Sequence, residues 1–427
     1  MRNSKKNRKI RSLILICVLS ALLLTVGTYA WFIGMQTVKV NSFEVEIATV
    51  DGLMLSMDGK TWSTNLDAYN AVAYENNANE FLKEDKEGLK PISTIGEFDS
   101  DVSRLKLYEK GSLTSTKGGY RLMASRVENN KKQVTGGTEY LEGDGYVAFD
   151  LFVMNLSGDA YYPTNDVANE EAIYLTYDSA VTAGTNGNKT SGVENSVRVA
   201  FAQIARVNAA EYGNVGSDAE KLAVVTGMTC AGSTDADGET VATGICRKAQ
   251  IWEPNENTHV AGAVKWYQTT CKARRAAQEG EAEKGFYYGT DACSALDEYI
   301  TTNAVAGEIL HTDYVDVYDG PYNGYNATAS SLLTQVDTFT DTEKLVTGAA
   351  RKQFMTLAPN SITKIRVYIW IEGQDIDNYD FASLGHSIRV NFGFTKERLT
   401  TGEIDTDIDP DSGNQGEIDD EQLPVQS

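Results

Sequence analysis

The chain has 427 residues and a formal net charge of −22 at pH 7, from 60 acidic against 38 basic side chains. That length can hold a large core, in one elaborate domain or two ordinary ones. The acidity argues against nucleic acid or anionic lipid as the main partner and describes a soluble, self-repelling surface, whose repulsion divalent cations would offset.

The N-terminus runs against this charge. Arg2, Lys5, Lys6, Arg8, Lys9 and Arg11 precede an apolar run from Leu13 to Phe32, with Gly27, Thr28, Tyr29 and Ala30 near its end. A basic segment, an apolar segment and a small residue describe an export signal at 1–30, cut after Ala30 by a signal peptidase. Losing its six cations would take the chain from −22 to −28. The same run is long enough to remain as a single membrane anchor, since a bilayer needs about 20 apolar residues. Either way the remainder belongs outside the cytoplasm, extracellular or at the cell surface.

Next comes a strand at Thr37–Ala48 that changes phase. Val38 and Val40 share one parity, and Phe43, Val45 and Ile47 the other. A one-residue slip turns every side chain over, so a bulge is expected near Asn41–Ser42. Leu53, Leu55 and Met57 form a second strand, and Asp58–Gly59 signals a hairpin turn. Residues 65–82 read as helix through Leu66, Tyr69 and Val72, and short strands are expected at Leu105–Tyr108 and Tyr120–Ala124. Tyr146–Asn155 is a clear strand with Val147, Phe149, Leu151 and Val153 inward; Asn195–Ala202 follows with Val197, Val199 and Phe201.

At about 208 the pattern changes. Residues 208–300 carry Cys230, Cys246, Cys271 and Cys293, helix-like pieces at Ala219–Val225 and Ala292–Ile300, and the turn Asp235–Gly238. This describes an insertion with little core of its own, stapled by two disulfides, for which nearest-neighbour pairing is the expectation among three connectivities. Closing the Cys230–Cys246 loop is worth about 3 kcal/mol. The sandwich then resumes. In Ile362–Glu372, Ile365, Val367, Ile369 and Ile371 alternate with Lys364, Arg366, Tyr368 and Trp370, one dry face and one mixed. In Ser387–Phe394, Ile388, Val390, Phe392 and Phe394 do the same. These two strands, joined by an acidic connection, read as a pair that needs a second apolar sheet to cover it, so the fold class is an all-β, antiparallel β-sandwich over 31–399 with a helix-containing insertion. From residue 400 the chain is an acidic tail too poor in large apolar residues to pack.

No catalytic constellation is legible. His259, His311 and His386 lie far apart and none sits in H-E-x-x-H, which would place two zinc ligands on one helical face. There is no nucleophile elbow. Gly143-Asp144-Gly145 leads into a strand rather than a helix, which rejects a dinucleotide fingerprint. Hard oxygen ligands for calcium are offered by Asp235 and Asp237 beside Gly238, and by Asp375 and Asp377, but neither group completes a known calcium loop, and no other cofactor is expected.

Four segments together carry a resemblance: Gly27-Thr28-Tyr29-Ala30-Trp31-Phe32, the strand Val45–Val50, the strand Tyr146–Asn155, and Val367–Gly373 with Ile388–Phe394. They are similar to the TasA/camelysin-like group of exported Gram-positive fibre and biofilm-matrix proteins, whose signals are cut by a SipW-type peptidase. The resemblance does not extend to 208–300. It implies a jelly-roll sandwich and a head-to-tail homopolymer in which an N-terminal strand of one subunit completes the next subunit's sheet, alongside other matrix or cell-wall components. Some members of the group are classed as metallopeptidases, an activity without a matching motif here. The expectation is a structural subunit whose assembly strand holds Val38, Val40, Phe43, Val45 and Ile47. The alternative is a monomeric adhesin or carbohydrate-binding module that uses exposed tyrosine and tryptophan.

Overall fold

The structure is a computed structural model, and it describes residues 42–49, 52–67, 89, 91–113, 121–126, 130–134, 137–142, 145–157, 160–176, 178–184, 192–255, 260–262, 315–321, 334–336, 353–373, 377 and 387–396. Over those residues the fold is all-β, a sandwich with two α-helices at one end, Ala209–Asn214 and Asp218–Thr226.

Ser361–Glu372 is the middle of the larger sheet. Its run of isoleucine, valine and aromatic residues suits a pleated, fully covered strand. On one edge it pairs antiparallel with Val147–Asn155, from Val147↔Ile369 to Asn155↔Ser361. On the other it pairs with Val197–Asn208, from Val197↔Ile371 to Asn208↔Ser361, with an irregularity between Gln203 and Ala205. Leu53–Ser56 adds beyond Val147–Asn155, and Thr240–Gly244 and Gln250–Trp252 add beyond Val197–Asn208. The smaller sheet is built on Ser387–Thr395, flanked by Glu171–Leu175 and Ala180–Ala183 on one side and by Ser42–Thr49 on the other.

The main core lies between these sheets. Phe149, Leu151, Val199, Phe201, Ile365, Val367 and Ile369 meet Ile173, Leu175, Val181, Ile388, Val390, Phe392 and Phe394. Phe201 joins the layers edge-on, with ring centroids 4.9 Å from Phe354, 4.9 Å from Phe392 and 5.6 Å from Phe394. Burying an aromatic ring is worth about 1.5–3 kcal/mol, and edge-to-face contacts add to it.

Three expectations need correction. The two C-terminal strands do not pair; Ser361–Glu372 and Ser387–Thr395 belong to opposite sheets and cover one another across the core. The mixed face of Ser361–Glu372 is also buried. Tyr368 and Trp370 sit in a second apolar cluster with Ile92, Leu105, Leu107, Tyr146 and Ile251, so the strand is covered from both sides. Most strand pairs are antiparallel, as expected, with parallel neighbours where Ser42–Thr49 meets Ser387–Thr395 and Pro91–Ser93 meets Ser361–Glu372. Residues 65–67 are strand, not helix: Leu66 pairs with Ile47 and packs against the core, and this tertiary partner overrides the local spacing.

Residues 209–255 of the expected insertion are woven into the sandwich. Trp252 enters the main core, and Tyr212, Val225, Met228 and Ala242 form a third cluster with Phe152, Ile204 and Ile362. The Asp218–Thr226 helix starts in a capping box, Ser217 and Glu220 each bonding the other's backbone N–H. Cys230 and Cys246 are joined by a disulfide that ties the start of the Ser233–Gly244 hairpin to its end. Cys271, Cys293, Ala292–Ile300 and the acidic tail lie outside the described residues.

Candidate functional site

Ser387–Thr395 needs a neighbour on each edge, because a buried strand must satisfy its backbone groups. One edge is closed by the middle of the chain. Val181 registers with Val390 and Leu175 with Phe394, and between them the Thr176 N–H donates to the Gly393 carbonyl at 2.9 Å and the Gly393 N–H to Ser179 Oγ at 3.1 Å. The other edge is closed by the N-terminal strand. Ser42–Thr49 lies parallel to it over eight register pairs, setting Phe43, Val45 and Ile47 opposite Ile388, Val390 and Phe392. Parallel neighbours always require a crossover connection, and here the crossover is nearly the whole chain. Beyond Ser42–Thr49 comes Asn65–Asp67, antiparallel, with Glu46↔Asp67, Ile47↔Leu66 and Ala48↔Asn65. The candidate assembly strand thus occupies a slot between two strands of its own chain. Ala30, Val38 and Val40 lie outside the described residues, as does the expected bulge at Asn41.

Of the candidate calcium ligands, Asp235 and Asp237 share one turn and Asp377 lies apart from it. Asp235 accepts from the N–H groups of Asp237 and Glu239, both at 2.9 Å, so its carboxylate shapes a tight turn closed by Gly238 at φ +86°. Asp237 is exposed on that turn. Asp377 is buried elsewhere and accepts from the Val260 N–H at 3.1 Å. Asp375 and the three histidines lie outside the described residues. Among the described residues no group of three or more His, Cys, Asp or Glu side chains could hold a metal ion.

Charge is concentrated where the sequence reads as a mixed face. Arg366 sits opposite Asp150 in the ladder and binds it twice, Nε to Oδ1 at 2.7 Å and Nη2 to Oδ2 at 3.0 Å; Lys364 Nζ lies 3.2 Å from the same Oδ2. Arg366 also donates to Glu142 Oε1 at 2.9 Å, where Arg104 and the Tyr368 hydroxyl converge at 3.0 Å each, while Tyr146 donates to Glu142 Oε2 at 2.8 Å. Burial alone would raise the Asp150 carboxyl, but Arg366 and then Lys364 outweigh it and hold it well below the usual carboxylate range. Burial dominates at Lys364 and lowers its amine despite the attraction of Asp150.

A second buried group is centred on Glu170, which takes Arg206, Arg247 and the Thr356 hydroxyl. Burial opposes its ionisation, and the bonds from Arg247, Thr356 and Arg206 overcome this and lower it. Arg206 also donates to the carbonyls of Tyr162 and Thr164, which fixes the loop before Glu171–Leu175 onto the large sheet. Arg198 and Glu253 form a third pair at 2.9 Å, with neither side chain exposed. In all three places each buried carboxylate is paired with at least one cation of the same chain. That is the condition for burying them, and it leaves them structural rather than poised for chemistry. Single charged residues on otherwise apolar strands were the only sequence signal for these groups.

No protein-family model, no curated protein and no solved structure matches the chain. No helix among the described residues is long and apolar enough to cross a membrane, and Leu13–Phe32 is not among them.

Proposed function

We propose that this protein is an exported structural subunit of a cell-surface or biofilm-matrix fibre, and that copies join head to tail by donating the Ser42–Thr49 strand. The observation that carries the reading is the position of that strand. It is the first described element, it pairs in parallel with the last, and it completes the edge of a core strand that the chain has otherwise closed on one side only. Such a strand can be supplied in trans: ladder hydrogen bonds provide affinity, and alternating side chains provide register. A head-to-tail contact of this kind does not close on itself, and so builds a filament. The export signal, the absence of a catalytic motif from the sequence and the resemblance to fibre-forming matrix proteins support the same reading, and the jelly-roll winding implied by that resemblance belongs to the proposal.

Electron microscopy of purified residues 31–427 beside a chain starting at Asp51 tests it. Fibres from the first and none from the second are expected. Monomers alone from residues 31–427, with and without calcium and down to acidic pH, would end the proposal. The second reading, a monomeric adhesin or carbohydrate-binding module, draws on Tyr162 and Val167, exposed on the loop that lies against Thr240–Gly244, itself carrying exposed Val241. Glycan binding by a chain that never polymerises would favour it.

A further inference from the structure

Ser42–Thr49 is not a sheet edge. Asn65–Asp67 covers its outer side over three register pairs, and no strand lies beyond Asn65–Asp67 among the described residues. Asn65–Asp67 must therefore part before the N-terminal strand can exchange with another, since the outer side of Glu46–Ala48 is already committed to it.

This short strand is itself firmly held on its N-terminal side. Leu53, Leu55 and Met57 are buried in the main core just before it. The turn that follows is fixed by Ser56 Oγ accepting from the Gly59 N–H at 2.8 Å and by Asp58 accepting from the Lys60 and Thr61 N–H groups, each at 2.8 Å. The Tyr212 hydroxyl donates to the Gly59 carbonyl, and Leu55 and Ser63 exchange backbone bonds of 2.8 and 2.9 Å. Leu66 is half-buried against the core. Asn65–Asp67 is thus a short flap on a fixed hinge, closed by three pairs where the slot's other wall makes eight.

Building on the strand-donation reading, we infer that Asn65–Asp67 is a latch. It holds the chain's own N-terminal strand in the slot, so that an isolated copy is self-complemented and capped. The Ser42–Thr49 strand of a second copy enters only when the latch parts. Because the latch is fixed to the core through Leu53–Met57, tying the N-terminal strand to it confines that strand to its own subunit.

Ala48→Cys with Asn65→Cys tests this. The two positions are antiparallel partners, whose Cα atoms lie about 4.5–5.5 Å apart, within disulfide reach, and Asn65 is exposed. Oxidised, the double variant of residues 31–427 stays monomeric under conditions where the wild type forms fibres, and dithiothreitol restores assembly, with wild type in the same reductant as the control. Fibre growth by the oxidised variant at the wild-type rate overturns the latch. If the wild type forms no fibres, strand donation itself fails, and the latch is read separately from uptake of a fluorescein-labelled peptide of residues 38–50. Leu66→Gly then takes up the peptide about tenfold faster than wild type or more, and the oxidised double variant takes up none. Equal uptake by all three overturns the latch without reference to fibres.

Discussion

Asp150 shows what a single buried charge does in this molecule. Its carboxylate is bound twice by Arg366 and once by Lys364 on the outer face of the central strand, and the group is completed by Glu142, Arg104 and Tyr368. Replacing such a carboxylate leaves two cations in a desolvated site, which costs about 3–5 kcal/mol. Asp150→Asn is therefore expected to lower the free energy of unfolding by that amount in urea titrations. The pH dependence follows from the lowered carboxyl. Its contribution to stability is complete above the ordinary aspartate value of about 3.9 and is lost as pH falls from there toward the lower folded value. Wild-type stability should drop below about pH 4, and the part of that drop due to Asp150 should vanish in Asp150→Asn. The charged letters at 150, 364 and 366 were visible from the start, but a charge on an alternating strand ordinarily means a solvated face. Only the covering segment with Leu105, Leu107 and Tyr146 turns that face inward.

At the scale of elements, the hairpin at Asp58–Gly59 illustrates local agreement followed by tertiary override. The turn signal is fulfilled by Ser56 and Asp58 side chains bonding the backbone and by Gly59 at φ +68°. At the start of the stretch that Leu66, Tyr69 and Val72 suggest as helix, Asn65–Asp67 is strand instead, because it finds backbone partners in Ser42–Thr49; Tyr69 and Val72 lie outside the described residues. The same glycine fixes the hairpin to the Asp218–Thr226 helix, since a Cβ there would stand 2.5 Å from Val225 Cγ2. Gly59→Ala combines a left-handed backbone with overpacking against a buried valine and should cost about 2 kcal/mol or more, read as a lowered thermal midpoint. The helix-like piece at Ala219–Val225 was legible in the sequence; its start, where Ser217 and Glu220 satisfy each other's backbone three residues apart, is a local signal that the reading missed. The place of Gln250–Trp252 was not legible, because nothing in three residues announces that they will pair with Val199–Phe201.

For the whole molecule, charge sets the conditions under which copies would meet. The chain carries −22, or −28 without its first thirty residues, so approaching copies repel one another over roughly 10 Å at 0.1 M salt. If strand donation builds the fibre, raising ionic strength should shorten the lag before assembly, and light scattering from residues 31–427 in a salt series would record it. A lag indifferent to salt would mean that desolvation or latch opening, rather than repulsion, limits the step.

An all-β fold was legible in the residues alone, as was the placing of Phe149, Leu151, Val199, Phe201, Val367, Ile369, Val390 and Phe392 on a core face enclosed by two sheets. Alternation with period two is a local property, and burial of apolar side chains reads it directly. Which strand lies beside which came from the folded chain. It put Ser361–Glu372 and Ser387–Thr395 in opposite sheets, ran the N-terminal strand parallel to the C-terminal one, and laid Asn65–Asp67 over it. Strand neighbours are joined by backbone N–H and C=O groups, which are the same at nearly every residue and carry no sequence signal. Their pairing is settled only when the whole core has closed.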